Sequence, residues 1–275
     1  LARAARETAA LKKKTGKTPC LAIISVGEDA ASKIYLRKKR EACAFCGVRH
    51  LLVELPAKIT QEELLQAIGK MNAAPGVNGL IVQVPLPLQL NANEAVAAVS
   101  LEKDVDGFTP ANVGRLFAGD ARAFVPATVK GVMRLLAAAK VKVVGADVVV
   151  IGKGNIAGKP IALLLANAGA TVTMCDKYTR NLAEKTRKAD VLVSATGAAR
   201  LVTKNFVKRG AVVIDVGITR LPDGKIVGDV AFDEVSKALG GKGALTPVPG
   251  GVGPMTVAML IENTLEAFKR QNGIA

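Results

Sequence analysis

The sequence predicts an α/β fold in two α/β domains that flank a ligand cleft, because three observations agree. Short apolar runs alternate with amphipathic helical segments, which is typical of βαβ units and parallel sheets. The apolar runs are continuous, as expected for strands that are covered on both faces. The stretch "GRLFAGDARAFVP", rich in glycine and small residues, separates two blocks of this pattern. Ligands commonly bind between such domains, beyond the carboxyl ends of the strands.

The first block runs from Leu1 to about Gly119 and alternates helices with three predicted strands. Its first helical pattern already includes Leu1, so we expect a few residues to precede it in the natural chain. In order, the segments are helix "LARAARETAALKKKTG", strand "CLAIISV", helix "SKIYLRKKREACAFCG", strand "HLLVEL", helix "TQEELLQAIGKMN" and strand "GLIVQV".

The second block, residues 120–253, contains four predicted strands and ends in a glycine-rich turn before a last helix. The strands are "DVVVIG", "TVTMC", "DVLVSAT" and "AVVIDVG". The segments "FVPATVKGVMRLL" and "GKPIALLLANAG" are helical, and the final helix "MTVAMLIENTLEAFKRQ" follows the turn "TPVPGGVGP".

The charge balance predicts small anionic ligands, with neither nucleic acid nor a membrane as partner. The 275 residues include 38 Lys+Arg and 23 Asp+Glu, which gives a net charge of +15 that attracts anions. The cations are scattered, aromatic residues make up 3% and tryptophan is absent, so base-stacking platforms are not expected. No apolar run is long enough to cross a bilayer, and we expect no secretory signal.

The cysteines do not predict a metal site. Cys43 and Cys46 form a C-x-x-C inside a helical pattern, without a second pair, and His50 is the single histidine. A structural zinc site needs about four nitrogen or sulfur ligands, so none is expected. Four cysteines in a chain of this length favour a reducing compartment, and hence the cytoplasm.

A dinucleotide site is predicted at "VVVIGKGNIAG", where a strand leads through three glycines into a helix. Gly152 would permit the tight turn, Gly154 the approach of a pyrophosphate to the backbone, and Gly158 close packing of the helix on the strand. The spacing is one residue longer than the commonest fingerprint, and the alternative is a plain strand–helix turn. A second strand about twenty residues later favours the dinucleotide.

The residues after that second strand give conflicting signals about the cofactor. Asp176 would accept hydrogen bonds from ribose hydroxyls and favours NAD. Lys153, Lys177 and Arg180 favour the 2′-phosphate of NADP. If Asp176 turned outward from its strand, the two lysines would dominate and NADP would be preferred.

The segment "YLRKKR" is either a solvated charged helix face or part of a site. Tyr35 and Lys39 are spaced i, i+4 and would share one face of a helix, whereas the other cations point elsewhere. Gln83 comes near a strand end, where Pro85 and Pro87 stop the strand. Asp104 and Asp106 fall in a turn before Gly107, and each of these residues alone would be unremarkable.

Six segments stand in an order that resembles the bifunctional methylenetetrahydrofolate dehydrogenase/methenyltetrahydrofolate cyclohydrolase family. They are "VGEDAASKIYLRKKREA", "GLIVQVPLPL", "EKDVDGFTPANVGRL", "VVIGKGNIAGKPIALLL", "VVIDVGITR" with "GDV", and "TPVPGGVGPMTVAML". The resemblance covers nearly the whole chain. It implies a folate-binding catalytic domain of residues 1–119, a Rossmann-like domain of residues 120–253, and a C-terminal helix of residues 254–275 packed back on the first domain.

The resemblance also implies the activity. Family members oxidise 5,10-methylenetetrahydrofolate with NADP, in some cases NAD, and hydrolyse the methenyl product to 10-formyltetrahydrofolate. This chemistry serves one-carbon metabolism and purine biosynthesis and needs no metal, and members are commonly homodimers. A lysine in a partly desolvated cleft can be neutral and can act as general base and later as acid.

The site residues follow from the matching positions. Lys39 matches the catalytic lysine, Gln83 the glutamine that hydrogen-bonds it, and Tyr35 the tyrosine that packs on the aminobenzoate ring. Asp106 matches the aspartate that binds the pterin and completes the catalytic set, and Pro85 lies in the pterin pocket wall. The turn beside the folate is matched by Gly250, Gly251 and Gly253. The predicted cofactor residues are Gly152, Lys153, Gly154, Asn155, Gly158, Asp176, Lys177, Thr196, Gly197, Gly217 and Ile218.

The chain departs from the family pattern mainly near the expected cofactor phosphate. Lys153-Gly154 replaces a common Arg-Ser pair, and Asp176-Lys177 replaces His-Ser or His-Arg. Pro126-Ala127-Thr128-Val129 replaces "PCTP", which we expect to change packing only. Two alternatives stay open: a dehydrogenase without the cyclohydrolase step, and a basic Rossmann protein that binds nucleic acid.

Overall fold

The computed structural model describes residues 1–27 and 30–274, and from residues 30–33 the backbone only. Residues 28 and 29 of the segment "VGEDAASKIYLRKKREA" lie outside the described residues. The chain divides into two compact units, the first formed by Leu1–Ala127 with Val257–Ala275 and the second by Thr128–Thr256.

The first unit is a three-stranded parallel sheet with helices. Its elements are α1 (Ala2–Thr15), β1 (Cys20–Val26), α2 (Ala30–Cys46), β2 (Arg49–Leu55), α3 (Gln61–Ala73), β3 (Gly79–Val82), α4 (Ala92–Ala97) and α5 (Pro110–Phe117). The strand order is β2-β1-β3, and every residue of β1 is buried. The core packs side chains of β1 and β3 against α3 and α4, among them Ile24, Leu64, Ile68, Leu80 and Ala95.

The second unit is a five-stranded parallel sheet of order β10-β7-β6-β4-β5. Its elements are α6 (Ala127–Ala138), β4 (Asp147–Ile151), α7 (Gly158–Asn167), β5 (Thr171–Cys175), α8 (Leu182–Thr186), β6 (Val191–Ser194), β7 (Val212–Asp215), β8 (Thr219–Arg220), β9 (Ile226–Val227), α9 (Phe232–Leu239) and β10 (Ala244–Leu245). Strands β8 and β9 form a small antiparallel pair outside this sheet.

The seven predicted strands are all present, and the α/β class with parallel sheets is confirmed. Strands β8, β9 and β10 were not predicted, because two residues are too few to show a hydrophobic period. The expectation that all strands are covered on both faces is wrong for β2 and β5, whose residues are partly exposed. Both lie at sheet edges, where one flank has no neighbouring strand.

The last helix, α10 (Val252–Gln271), begins three residues before the predicted start at Met255. Gly253 and Pro254 fit its first turn, because the backbone N–H that proline lacks has no helical partner there. From Val257 onward the helix belongs to the first unit. In the part of the chain that the structure describes, no helix is both long and apolar enough to span a membrane.

Candidate active site

A lysine and a glutamine meet at the carboxyl edge of the first sheet. Residue Gln83 directly follows β3, and its backbone N–H donates to the Ile24 carbonyl of β1 over 2.8 Å. The Lys39 Nζ of α2 donates to Gln83 Oε1 over 2.9 Å. The Gln83 amide in turn donates to the Val84 carbonyl over 2.8 Å, which orients its oxygen toward the lysine.

The segment "YLRKKR" divides as its helical spacing predicts. Tyr35 and Lys39 lie one turn apart on α2 and are both partly buried. The other three cations of the segment, Arg37, Lys38 and Arg40, are exposed. The helix therefore presents one tyrosine–lysine face inward and a solvated cationic face outward.

Burial shifts the proton affinity of two groups in this region. Burial lowers the pKa of Lys39, and the charges of Asp106 and Cys43 partly oppose that effect. Burial raises the pKa of the Asp106 carboxyl, with Lys39 acting in the opposite sense and Asp104 in the same sense. The neutral amine of Lys39 is thus more accessible than that of a solvated lysine, as a general base requires.

Asp104 holds the turn that carries Asp106, a role that sequence reasoning missed. Its Oδ1 accepts from the Gly107 N–H over 2.8 Å, and its Oδ2 accepts from the Thr109 N–H over 2.8 Å. The Asn112 side chain also donates to Asp104 Oδ2 over 2.7 Å. The sequence placed Asp104 in a turn, but only the fold shows that its carboxylate is buried and the turn is built around it.

Two further predicted folate positions lie in different parts of the chain. Pro85 is exposed, two residues after Gln83. The glycines at 250, 251 and 253 belong to the second unit, in the turn before and at the start of α10. A Cβ at Gly251 would lie 2.6 Å from the Pro247 carbonyl oxygen, so this turn requires glycine there.

The predicted glycine loop joins β4 to α7 and has the shape of a phosphate cradle. Gly152 has φ of +105°, and a Cβ there would overlap the Ala195 carbonyl. A Cβ at Gly158 would overlap the carbonyl of Gly152, which directly follows β4, so this glycine lets α7 approach the end of the strand closely. Around Gly154 no heavy atom lies within 4 Å of the Cβ position, which leaves the backbone open at the α7 N-terminus. The loop therefore fits a pyrophosphate.

Lys153 and Asp176 form an ion pair, with Nζ 3.1 Å from Oδ2. The Asp176 carboxylate also accepts from the Tyr178 N–H over 3.0 Å. The hydrogen bond from Lys153 lowers the pKa of the Asp176 carboxyl. Lys177 Nζ instead lies 5.0 Å from the centroid of the Tyr178 ring. Asp176 does not turn away from both lysines, as the two-lysine hypothesis required, because it pairs with Lys153.

The remaining predicted cofactor residues lie on loops at the carboxyl edge of the second sheet. Thr196 and Gly197 follow β6, and Gly217 and Ile218 follow β7. Asn155 lies in the glycine loop, where its side chain accepts from Lys159 Nζ over 2.9 Å.

Two buried carboxylates support these loops and were not predicted. Asp229 Oδ2 accepts from Ser194 Oγ over 2.8 Å and from the Thr196 N–H over 2.7 Å. Asp215 Oδ1 accepts from the Gly217 N–H over 3.0 Å. The "GDV" segment was noticed as a motif, yet nothing in its composition shows that its aspartate is buried.

Two family models cover most of the chain. The catalytic domain of tetrahydrofolate dehydrogenase/cyclohydrolase matches residues 1–106, and the NAD(P)-binding domain of the same family matches residues 126–272. The chain belongs to the tetrahydrofolate dehydrogenase/cyclohydrolase family. A relative named bifunctional protein FolD from Sulfurihydrogenibium sp. is 51% identical over 262 residues, which cover 95% of this chain and 90% of the relative.

Solved structures of the tetrahydrofolate dehydrogenase/cyclohydrolase family have the same fold. The bifunctional FolD enzyme of Campylobacter jejuni matches with a TM-score of 0.94 and 46% identity, covering 98% of this chain and 94% of that one. The Trypanosoma brucei FolD enzyme, complexed with NADP cofactor and inhibitor, matches with a TM-score of 0.92 and 41% identity, covering 98% and 93%.

Proposed function

We infer that this protein oxidises 5,10-methylenetetrahydrofolate with NADP and hydrolyses the resulting 5,10-methenyltetrahydrofolate to 10-formyltetrahydrofolate. Family membership supports both activities. The observation that carries the hydrolytic step is the partly buried Lys39 amine held by Gln83 over 2.9 Å. The alternative of a dehydrogenase without hydrolysis would not need this pair.

Lys39 is the proposed general base and acid. The methenyl product is a cation that must be attacked by water, and a neutral amine can accept the proton that this water loses. The same group then returns the proton to the nitrogen that leaves the one-carbon unit. Gln83 accepts one N–H of Lys39 and so holds the amine in a fixed direction. Burial of Lys39, which lowers its pKa, favours the neutral state in which the cycle starts.

The other folate contacts are proposed from the positions that match the family pattern. Asp106 would grip the amide-like edge of the pterin, and Tyr35 would pack on the aminobenzoate ring. Pro85 would line the pterin pocket. The turn beside the folate would be that of Gly250, Gly251 and Gly253, as their match to the family positions implies.

A bound nicotinamide cofactor would supply the acceptor for the hydride that leaves the one-carbon bridge. The chain's part is to bind and orient it. The glycine loop and the α7 N-terminus would hold the pyrophosphate, since the first N–H groups of a helix attract anions. Lys177 would contact the 2′-phosphate, with the ion-paired Lys153 beside it. The loops of Thr196, Gly197, Gly217 and Ile218 would line the remaining length of the cofactor.

One assay tests the proposal and separates it from the alternatives. Methylenetetrahydrofolate and either NADP or NAD are added, and the methenyl absorbance is followed. We expect the absorbance to rise and then decay. A lasting rise would indicate a dehydrogenase without hydrolysis. No change, together with DNA binding that weakens steeply with salt, would favour a nucleic-acid-binding protein.

We further propose that the two units act as folate-binding and dinucleotide-binding domains, that the protein is a homodimer and that it works in the cytoplasm. The dimer is supported because family members are commonly homodimers. A light-scattering mass equal to that of one chain would contradict it. Four free, buried cysteine thiols suit a reducing compartment.

A further inference from the structure

Two buried carboxylates join the loops that carry predicted cofactor residues. Asp229 is fully buried, and its Oδ2 accepts from Ser194 Oγ over 2.8 Å and from the Thr196 N–H over 2.7 Å. Asp215 Oδ1 accepts from both the Gly217 N–H and the Asp229 N–H over 3.0 Å. The loop after β6, the loop after β7 and the segment around Asp229 therefore share one hydrogen-bonded anchor.

Two glycines make room for these carboxylates in a reciprocal way. A Cβ at Gly217 would overlap Asp229 Oδ1, and a Cβ at Gly228 would overlap Asp215 Oδ2. Asp215 Oδ2 also accepts from the Val230 N–H over 2.9 Å. The glycine of the "DVG" segment thus packs against Asp229, and the glycine of the "GDV" segment packs against Asp215. The spacing between the two segments therefore depends on both aspartates.

Burial of the Asp229 carboxylate carries a cost in folding free energy. Its Oδ1 is buried and has no hydrogen-bond partner among the described residues. A buried polar atom without a partner costs free energy, and buried charge is costly unless paired. The Asp229 carboxylate is instead bonded directly to the Thr196 N–H and lies against Gly217, and both are predicted cofactor residues.

We propose that Asp229 is a positioning residue of the cofactor site, which holds the Thr196 and Gly217 loops at the separation that the nicotinamide cofactor requires. Its carboxylate is buried under the loops and acts through them. The inference rests on the proposed function only in taking Thr196 and Gly217 as cofactor contacts. It concerns binding, and it does not depend on turnover of a folate.

Isothermal titration calorimetry with NADP tests the proposal on the full-length protein. We expect Asp229→Ala to weaken NADP binding by about tenfold or more, since the bonds from Ser194 Oγ at the end of β6 and from the Thr196 N–H are lost. Asp229→Asn should bind within about threefold of wild type, because its amide oxygen keeps both acceptor bonds. Val235→Ala is the control: this side chain is fully buried in the same unit but contacts neither loop by hydrogen bonding.

The control separates positioning from general destabilisation. Val235→Ala should lower Tm as much as Asp229→Ala or more, yet keep the NADP affinity of wild type. Equal loss of affinity in Val235→Ala, or unchanged affinity in Asp229→Ala, would overturn the proposal. If Asp229→Ala does not fold, Ser194→Ala is measured in its place, since it removes only the hydroxyl that donates to Asp229 Oδ2. Unchanged NADP affinity in Ser194→Ala would likewise overturn the proposal. Wild type that binds NADP but does not oxidise methylenetetrahydrofolate would contradict the proposed function alone.

Discussion

At the residue scale, Lys39 shows how position within one helix separates a reactive group from a solvated one. Lys38 and Lys39 are neighbours in sequence, yet Lys38 is exposed and Lys39 reaches Gln83 over 2.9 Å. Burial lowers the pKa of Lys39. The pair of lysines therefore offers a matched comparison of the same side chain in two environments.

We expect Lys39→Met to reduce cyclohydrolase activity by about 10²- to 10⁴-fold, the scale of a lost general base, while NADP binding is unchanged. The measurement is hydrolysis of methenyltetrahydrofolate, with calorimetric NADP binding alongside. Lys38→Met is the control and should keep wild-type activity. In wild type the hydrolytic rate should rise with pH through the lowered Lys39 pKa, because deprotonation there creates the base. Retained hydrolysis in Lys39→Met would exclude Lys39 as the base.

The lowered pKa of Lys39 also makes the stability of the fold depend on pH. The folded-state pKa of Lys39 lies below its value in the unfolded chain, so the unfolded chain binds more protons between the two values. Burying the charged amine destabilises the fold below the lowered pKa. That cost disappears as pH rises toward the ordinary lysine range.

Cofactor choice is also decided at the residue scale, by how Asp176 and two lysines pair. Lys153 is paired with Asp176 over 3.1 Å, whereas Lys177 lies over the Tyr178 ring and has no carboxylate partner among the described contacts. A carboxylate near a 2′-phosphate is repulsive, whereas a lysine is attractive.

We expect wild type to prefer NADP. Lys177→Ser should lower the NADP/NAD ratio of kcat/KM by about two- to fivefold, which is the scale of one exposed charge pair. Asp176→Ser should raise this ratio by a similar factor. Lys237→Ser, an exposed lysine on α9, is the control and should leave the ratio unchanged. Preference for NAD in wild type, or an unchanged ratio in Lys177→Ser, would instead place the Asp176 carboxylate on the ribose.

At the element scale, the turn between α4 and α5 is built around one buried carboxylate. Asp104 accepts hydrogen bonds from Gly107, Thr109 and Asn112, at 2.7–2.8 Å in each case. Charge-assisted bonds of this kind are about twice as strong as neutral ones. Asp106 sits inside this turn, so its position depends on Asp104.

We expect Asp104→Ala to lower the free energy of unfolding by about 2–4 kcal/mol, because several buried donors lose their acceptor. Folate affinity should fall as well, since the turn no longer holds Asp106. Urea denaturation and folate titration measure the two effects. Asp223→Ala, an exposed turn carboxylate in the second unit, should change stability by less than about 0.5 kcal/mol. A similarly small change in Asp104→Ala would show that the turn holds without its anchor.

At the scale of the whole molecule, the chain leaves the first unit, forms the second and returns through α10. The return is secured by Asn263, which is buried on α10. Its amide donates to the Val105 carbonyl over 2.8 Å and to the Val125 carbonyl over 2.9 Å. One side chain thus ties the end of the chain to two earlier segments of the same unit.

We expect Asn263→Leu to lower the free energy of unfolding by about 2–4 kcal/mol, because a buried and a partly buried carbonyl lose their donor. Urea unfolding followed by far-ultraviolet circular dichroism is the measurement. Asn272→Leu, one residue after the same helix, is the control; its amide donates over 2.8 Å to the Phe268 carbonyl and accepts an exposed bond from Lys17 Nζ over 3.0 Å, so a smaller loss is expected. Equal losses in the two variants would mean that the bridge made by Asn263 contributes nothing specific.

The sequence by itself determined the α/β class, the seven longer strands and the glycine turn into α7. It also placed Tyr35 and Lys39 on one helix face and Gln83 at a strand end. All of these follow from local rules: a hydrophobic period, an i, i+4 spacing, or a turn whose backbone conformation only glycine adopts readily. Local rules depend on residues within a few positions of each other, which the sequence shows directly.

The tertiary structure alone decided the pairing of Lys153 with Asp176, the burial of Asp104 and the anchor formed by Asp215 and Asp229. It also decided that the edge strands β2 and β5 are partly exposed, whereas the edge strand β3 is buried. The Lys153–Asp176 pair and the Asp215–Asp229 anchor join segments that meet only when parallel strands assemble. The donors to Asp104 are close to it in sequence, but its burial depends on the packed unit. An aspartate in a turn has the same local pattern whether its carboxylate faces water or a ring of buried N–H groups, and only the assembled sheet distinguishes the two.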